Sequence, residues 1–114
     1  MNVARTGQAL FAITVAFELV EGAAAEFDRL IRENAALSVS LEPNCLRFDI
    51  LTPDGATGAP DVLLYEIYRD RESFDLHLAA DHYLNFDARS RHLVRKKTVM
   101  TFSVAENAKA PVAT

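Results

Sequence analysis

Apolar and polar residues alternate from Leu10 to Leu19: Phe11, Ile13, Val15, Phe17 and Leu19 fall on one face, and Ala12, Thr14, Ala16 and Glu18 on the other. A period of two predicts a strand. From Glu21 to Leu41 the period lengthens to that of a helix. Phe27, Leu30, Ile31, Asn34, Ser38 and Leu41 form one stripe, with Glu26, Arg29, Arg32 and Glu33 away from it. Pro43 stops this helix, and Asn44 is expected in a left-handed turn. Cys45 to Leu51 reads as a second strand with Leu46, Phe48 and Ile50 on one side, and Thr52 to Asp61, holding Pro53, Gly55, Gly58 and Pro60, as a loop. Val62 to Arg69 is the third strand. Asp70 then suits the N-cap of a helix beginning at Arg71, and helical pattern runs to Val94 with a break near Ala80. Thr98 to Val104 closes the series as a strand with Met100, Phe102 and Val104 on one face.

The order β-α-β-β-α-β predicts an α+β fold of the ferredoxin-like plan, a four-stranded antiparallel sheet with its helices on one face. The domain is expected over residues 10–105, with an N-terminal extension over 1–9 and a disordered tail over 106–114. The expected helix-free face carries Ala12, Thr14, Ala16, Cys45, Leu63, Tyr65, Ile67, Val99, Thr101 and Ser103. Such small and apolar residues ask for a cover, and with no further element left the simplest cover is a second copy. A homodimer is expected.

Composition narrows the function. A chain of 114 residues is one domain, long enough to bury roughly 65% of its unfolded surface. A formal net charge of −4 lacks the basic footprint of a nucleic-acid or anionic-membrane binder. The single cysteine, Cys45, excludes an internal disulfide framework and suits a reducing cytoplasm. No apolar run nears membrane-spanning length, and Met1 to Gly7 has no leader pattern.

Chemistry concentrates after the loop. Glu66 and Tyr68 share a strand face with Val62 and Leu64, and a carboxylate there needs a partner or a wet cavity. His77 falls on the inward side of the next helix, where a carboxylate such as Glu66 would set its tautomer for acid–base work or simply close the core. Asn34 and Ser38, one turn apart on an apolar stripe, either project into a pocket or bond backbone groups at a dimer edge. His82 follows His77 by five positions rather than the four of a helical metal pair, and Asp81 has no third ligand beside it, so no metal site is expected. His82 either caps the second helical stretch or faces solvent. Arg89, Arg91, Arg95, Lys96 and Lys97 read as complements to a helix C-terminus, with a substrate phosphate as the alternative. There is no Gly-rich phosphate loop, nucleophile elbow or dinucleotide fingerprint.

Three groups of residues carry a resemblance: Ser38 with the run Glu42-Pro43-Asn44-Cys45-Leu46-Arg47-Phe48-Asp49-Ile50-Leu51; the run Tyr65 to Asp70; and His77 with His82-Tyr83. In these the chain resembles the antibiotic biosynthesis monooxygenase family, a group of dimeric α+β barrels, over about Phe11 to Val104. Its small quinol monooxygenases and its isomerase of phosphorylated autoinducer-2 look most similar. Asn44 stands where the family usually has Gly, and Tyr68 where haem-degrading members carry a tryptophan that this chain lacks. The resemblance implies a monooxygenase of a small quinol or phenolic, polyketide-like substrate, working without metal or prosthetic group. His77, Glu66 and Tyr68 are then the candidate catalytic residues, and Asn34, Ser38, His82 and Phe48 the candidate substrate contacts. An isomerase of a small phosphorylated hydroxy-ketone, which needs a cation for the phosphate, and a non-enzymatic dimeric binding protein are the alternatives.

Overall fold

A computed structural model describes residues 9–55 and 58–106. Along the chain lie β1 (Phe11–Leu19), α1 (Ala24–Leu41), β2 (Cys45–Leu51), β3 (Val62–Tyr68), α2 (Arg71–Leu78), α3 (Asp81–Ser90), a 3₁₀ turn (Arg91–Leu93) and β4 (Val94–Ser103). The strands form one antiparallel sheet in the order β2-β3-β1-β4. This is the ferredoxin-like α+β plan. The expected N-terminal extension and tail lie outside the described residues, except for Ala9 and Glu106.

The inward stripe of α1, Phe27, Leu30, Ile31, Asn34, Ala35 and Ser38, packs on the sheet face of Ile13, Val15, Phe17 and Leu64. Phe17 and Phe27 meet with ring centroids 4.8 Å apart, and Phe86 of α3 closes on both. Burying each such ring contributes about 1.5–3 kcal/mol. α1 starts at Ala24 rather than Glu21 because Gly22, at φ +82°, turns the chain first. α2 begins as expected: the Asp70 carboxylate accepts from the backbone N–H and hydroxyl of Ser73, and these hydrogen bonds hold its carboxyl below the usual range. Ala80, in extended conformation, separates α2 from α3.

Several expectations need correction. Asn44 is not left-handed, since no non-glycine among the described residues has positive φ. It works instead as a clasp, its carbonyl accepting from the Arg69 N–H and its side chain from Arg69 Nε. A bulge between Cys45 and Arg47 breaks the alternation of β2, so Cys45 is buried in the core opposite Tyr68 while Leu46 is exposed. β4 begins at Val94, because Val94 to Lys97 pair with Leu19 to Phe17. Arg95, Lys96 and Lys97 therefore lie on an edge strand rather than at a helix end, and charge there discourages edge-to-edge pairing.

The same register exchanges the two faces of β4. Val15 pairs with Val99 and Ile13 with Thr101, which puts these on the helix side; Thr14 pairs with Met100 and Ala12 with Phe102, which puts those on the helix-free side. The free face, with Leu63, Tyr65, Ile67, Met100 and Phe102, is thus more apolar than expected.

Candidate functional site

A cleft of about 40 Å³ lies between the helices and the middle of the sheet. Its floor is Val15, Phe17, Leu64, Glu66 and Val99, with Phe48 at one side; its roof is Asn34 from α1, Phe74 and His77 from α2, and Tyr83 and Phe86 from α3. The period-two pattern of β3 aims Glu66 inward between Leu64 and Tyr68, and cross-strand pairing sets Phe48 and Ile13 on either side of it. A second depression, about 670 Å³, lies around the β1–α1 turn and is lined by Leu19, Gly22, Asp28 and Asp61 among others. It is broad and shallow and contains none of the candidate residues.

Glu66 is 3% exposed, and its Oε1 accepts a 2.7 Å hydrogen bond from the Tyr68 hydroxyl. Desolvation pushes the Glu66 carboxyl up to about 7, reinforced by the charge of Glu42 and opposed by the Tyr68 hydrogen bond and by Lys97. Burial and the neighbouring Glu66 carboxylate drive the Tyr68 phenol far upward, so it stays a proton donor to Glu66. Burial, assisted by Glu42, likewise pushes the Cys45 thiol up to about 11, leaving it inert as a nucleophile.

His77 does not pair with Glu66. Its Nδ1 lies 2.8 Å from Oε2 of Glu42, and Nε2 of His82 meets the same oxygen. Donation from Nδ1–H leaves Nε2 of His77 as an acceptor. Burial lowers the His77 pKa despite the opposing pull of Glu42, so the ring is neutral near pH 7. The rings of Tyr68, Phe74 and Tyr83 pack around it.

Asn34, Phe48, Glu66 and His77 thus come together on one cleft. Tyr68 lies fully buried behind Glu66. Ser38 does not line the cleft: it is fully buried, and its hydroxyl donates to the Asn34 carbonyl one turn back. His82 also lies outside the cleft, beside Asn34 in a small neighbouring void, and neither caps by side chain nor faces solvent. Two functional groups escape the sequence reading. Glu42 sits at the C-cap of α1, one turn after Ser38 and so in line with the inward stripe, where a carboxylate beside Pro43 reads as a helix end; the four-residue step from Ser38 and the run beginning Glu42-Pro43 are the signals it carries. Lys97, hidden in a basic cluster, lines the cleft and donates to the Tyr83 hydroxyl at 3.2 Å.

The family model for antibiotic biosynthesis monooxygenases matches residues 10–89. No curated protein matches the chain. Among solved structures, the Mycobacterium tuberculosis protein Rv0793 superposes with a TM-score of 0.77 at 22% identity, covering 89% of this chain and 100% of its own. A candidate antibiotic biosynthesis monooxygenase from Nitrosomonas europaea gives 0.72 at 24% identity, covering 88% and 93%. A Pseudomonas aeruginosa protein gives 0.73 at 20% identity over 88% and 97%. At these identities the superpositions show a shared fold.

Proposed function

The chain belongs to the antibiotic biosynthesis monooxygenase family, and from that premise we propose that it is a cofactor-independent monooxygenase of a small quinol or phenolic, polyketide-like substrate. One observation carries the reading: a buried carboxyl, Glu66, faces an otherwise largely apolar cleft and is poised to exchange its proton near neutral pH. Glu66 takes the proton of a substrate hydroxyl or activated C–H, and the Tyr68 hydroxyl steadies the carboxylate that does so. His77, held by Glu42 with Nε2 free to accept, orients the substrate's second hydroxyl. The electron-rich anion gives one electron to O₂ and recombines with the superoxide formed. One oxygen atom stays on carbon and the other leaves as water with the two hydrogens the substrate gives up, so hydroquinone plus O₂ becomes hydroxyquinone plus H₂O. The protein contributes a base, orientation and a dry environment.

In this reading Asn34 and Phe48 are walls of the substrate site, while Ser38 and His82 act behind them. A volume of about 40 Å³ is far below the roughly 300–1,000 Å³ of a formed small-molecule pocket. A substrate therefore enters by displacing the rim, where Leu78 and Val99 are substantially exposed. The test is oxygen uptake with a hydroquinone panel, expected in the wild type and lost in Glu66→Gln; a folded protein that consumes no oxygen with any quinol contradicts the reading.

Lys97 favours a second reading. A cation on the cleft wall suits the phosphate of a hydroxy-ketone, with Glu66 moving a proton between adjacent carbons. Turnover of a phosphorylated dione without oxygen, with KM raised in Lys97→Met, would establish this isomerase in place of the oxygenase.

The apolar helix-free face supports a homodimer built sheet to sheet. Size-exclusion with light scattering tests it: a mass of two chains is expected, and a monomer at micromolar concentration contradicts it. Among the described residues no helix is long and apolar enough to cross a membrane.

A further inference from the structure

Three side chains beside the cleft converge more closely than the proton chemistry of Glu66 requires. Glu42 comes from the end of α1, His77 from α2 and His82 from the first turn of α3, and their donor atoms all lie within 4.8 Å of one another. The side chains are 15%, 3% and 8% exposed. We propose that Glu42 Oε2, His77 Nδ1 and His82 Nε2 form a binding site for a first-row divalent transition-metal ion of the zinc class.

Two imidazole nitrogens and one carboxylate oxygen are the donor set of borderline ions such as Zn²⁺, Co²⁺ and Fe²⁺; Ca²⁺ and Mg²⁺ prefer oxygen alone. Ligand atoms about 2.0–2.2 Å from an ion stand roughly 3–3.5 Å apart. With His77 Nδ1 already 2.8 Å from Glu42 Oε2, the triangle reaches that geometry by small side-chain rotations. Three protein ligands leave a position for water.

An independent observation points to such a water. Asn34 Oδ1 is buried without a hydrogen-bond partner among the described residues, and Asn34 lines both the cleft that holds His77 and the void that holds His82. A carboxylate bridging two imidazoles satisfies those three groups but leaves Asn34 Oδ1 without a donor. A water on the ion supplies the missing donor.

The ion has a consequence for the cleft. Without metal, the Nδ1 proton of His77 points at Glu42 and Nε2 accepts. A metal on Nδ1 moves that proton to Nε2, which then donates. The ion therefore ties α1, α2 and α3 together and inverts the hydrogen-bonding character of His77 toward whatever occupies the cleft. The ion would thus change the role the oxygenase reading gives His77, but its test does not depend on that reading, because it reads binding rather than turnover.

Chelator-treated full-length protein is titrated with ZnCl₂ by calorimetry and with CoCl₂ by visible absorption. One ion per chain at micromolar or tighter affinity is expected, with the d–d bands of a low-coordinate nitrogen and oxygen site. Glu42→Gln and His82→Ala each weaken binding at least tenfold, while the exposed His92→Gln leaves it unchanged. Should the ligand variants misfold, ¹⁵N spectra of the wild-type imidazoles decide: Zn²⁺ must move the His77 proton from Nδ1 to Nε2. No saturable binding, binding untouched in both ligand variants, or ¹⁵N spectra unchanged by Zn²⁺ overturns the site and leaves a carboxylate-bridged histidine pair.

Discussion

Two carboxylates, Glu66 and Glu42, stand near the same histidine and do different work. Glu66 projects from the middle of a strand into a small, largely apolar cleft, where its one hydrogen-bond partner among the described residues is a neutral phenol. Glu42 sits where a helix ends and gathers two imidazoles on one oxygen. Desolvation without a cation in contact makes the first carboxyl hold its proton to about pH 7. The second is surrounded by groups that satisfy its charge by donating to it. A strand interior thus yields a proton carrier, and a helix terminus yields an organiser of its neighbours.

The largest expected effect removes the proton carrier. Glu66→Gln keeps the shape and an acceptor for Tyr68 but cannot take a proton, so turnover should fall about 10²–10⁴-fold. Oxygen uptake under saturating quinol checks this. An equal fall in Glu42→Gln would erase the proposed division of labour.

Stability should move the other way. The folded-state pKa of Glu66, about 7, lies above its ordinary 4.5, so between these values the folded chain holds a proton that the unfolded chain has released. That contribution is complete below pH 4.5 and is lost as pH rises through 7, amounting to about 3 kcal/mol. Urea unfolding of the wild type at pH 5 and pH 8 should show the loss, and Glu66→Gln should flatten it and be the more stable protein at pH 8. A wild type whose stability rises over this range would show that other groups dominate.

Smaller shifts sharpen the contrast by their signs. Tyr68→Phe removes the hydrogen bond that lowers the Glu66 pKa, so the acid limb of the pH–rate profile should move to higher pH. Glu42→Gln, measured with chelator present, removes a charge that raises it, so the limb should move to lower pH. Shifts of the same sign in both variants would contradict the opposed effects assigned to the Tyr68 hydrogen bond and the Glu42 charge.

Much of this is written in the local sequence. Alternation in Phe11–Leu19 and Val62–Tyr68 and the apolar stripe of α1 are repeated local signals, and they suffice to aim Ile13, Glu66 and Asn34 at the interior. What was illegible depends on pairing. Only the register between β1 and β4 decides that Met100 and Phe102 face away from the helices, and only the bulge at Leu46 turns Cys45 inward. Glu66 and Tyr68 are legible as neighbours on one strand face, but the partner of His77 is not: Glu42 reaches it across 35 residues of chain, from a helix end whose place on the inward stripe does not say which side chain it meets. The five-residue spacing of His77 and His82 argues against a metal pair on one helix, yet Ala80 makes two helices of that stretch and lets both rings reach Glu42.

The central claim is that Glu66 holds its proton until near neutrality, and its side-chain ¹³Cδ resonance reports that directly. In protein labelled at glutamate, with Glu66→Gln identifying the signal, a titration from pH 3 to 9 should give a midpoint near 7 for Glu66. A midpoint near the ordinary 4.5 would show that the cleft does not keep the carboxyl protonated, and Glu66 could not be the base proposed here.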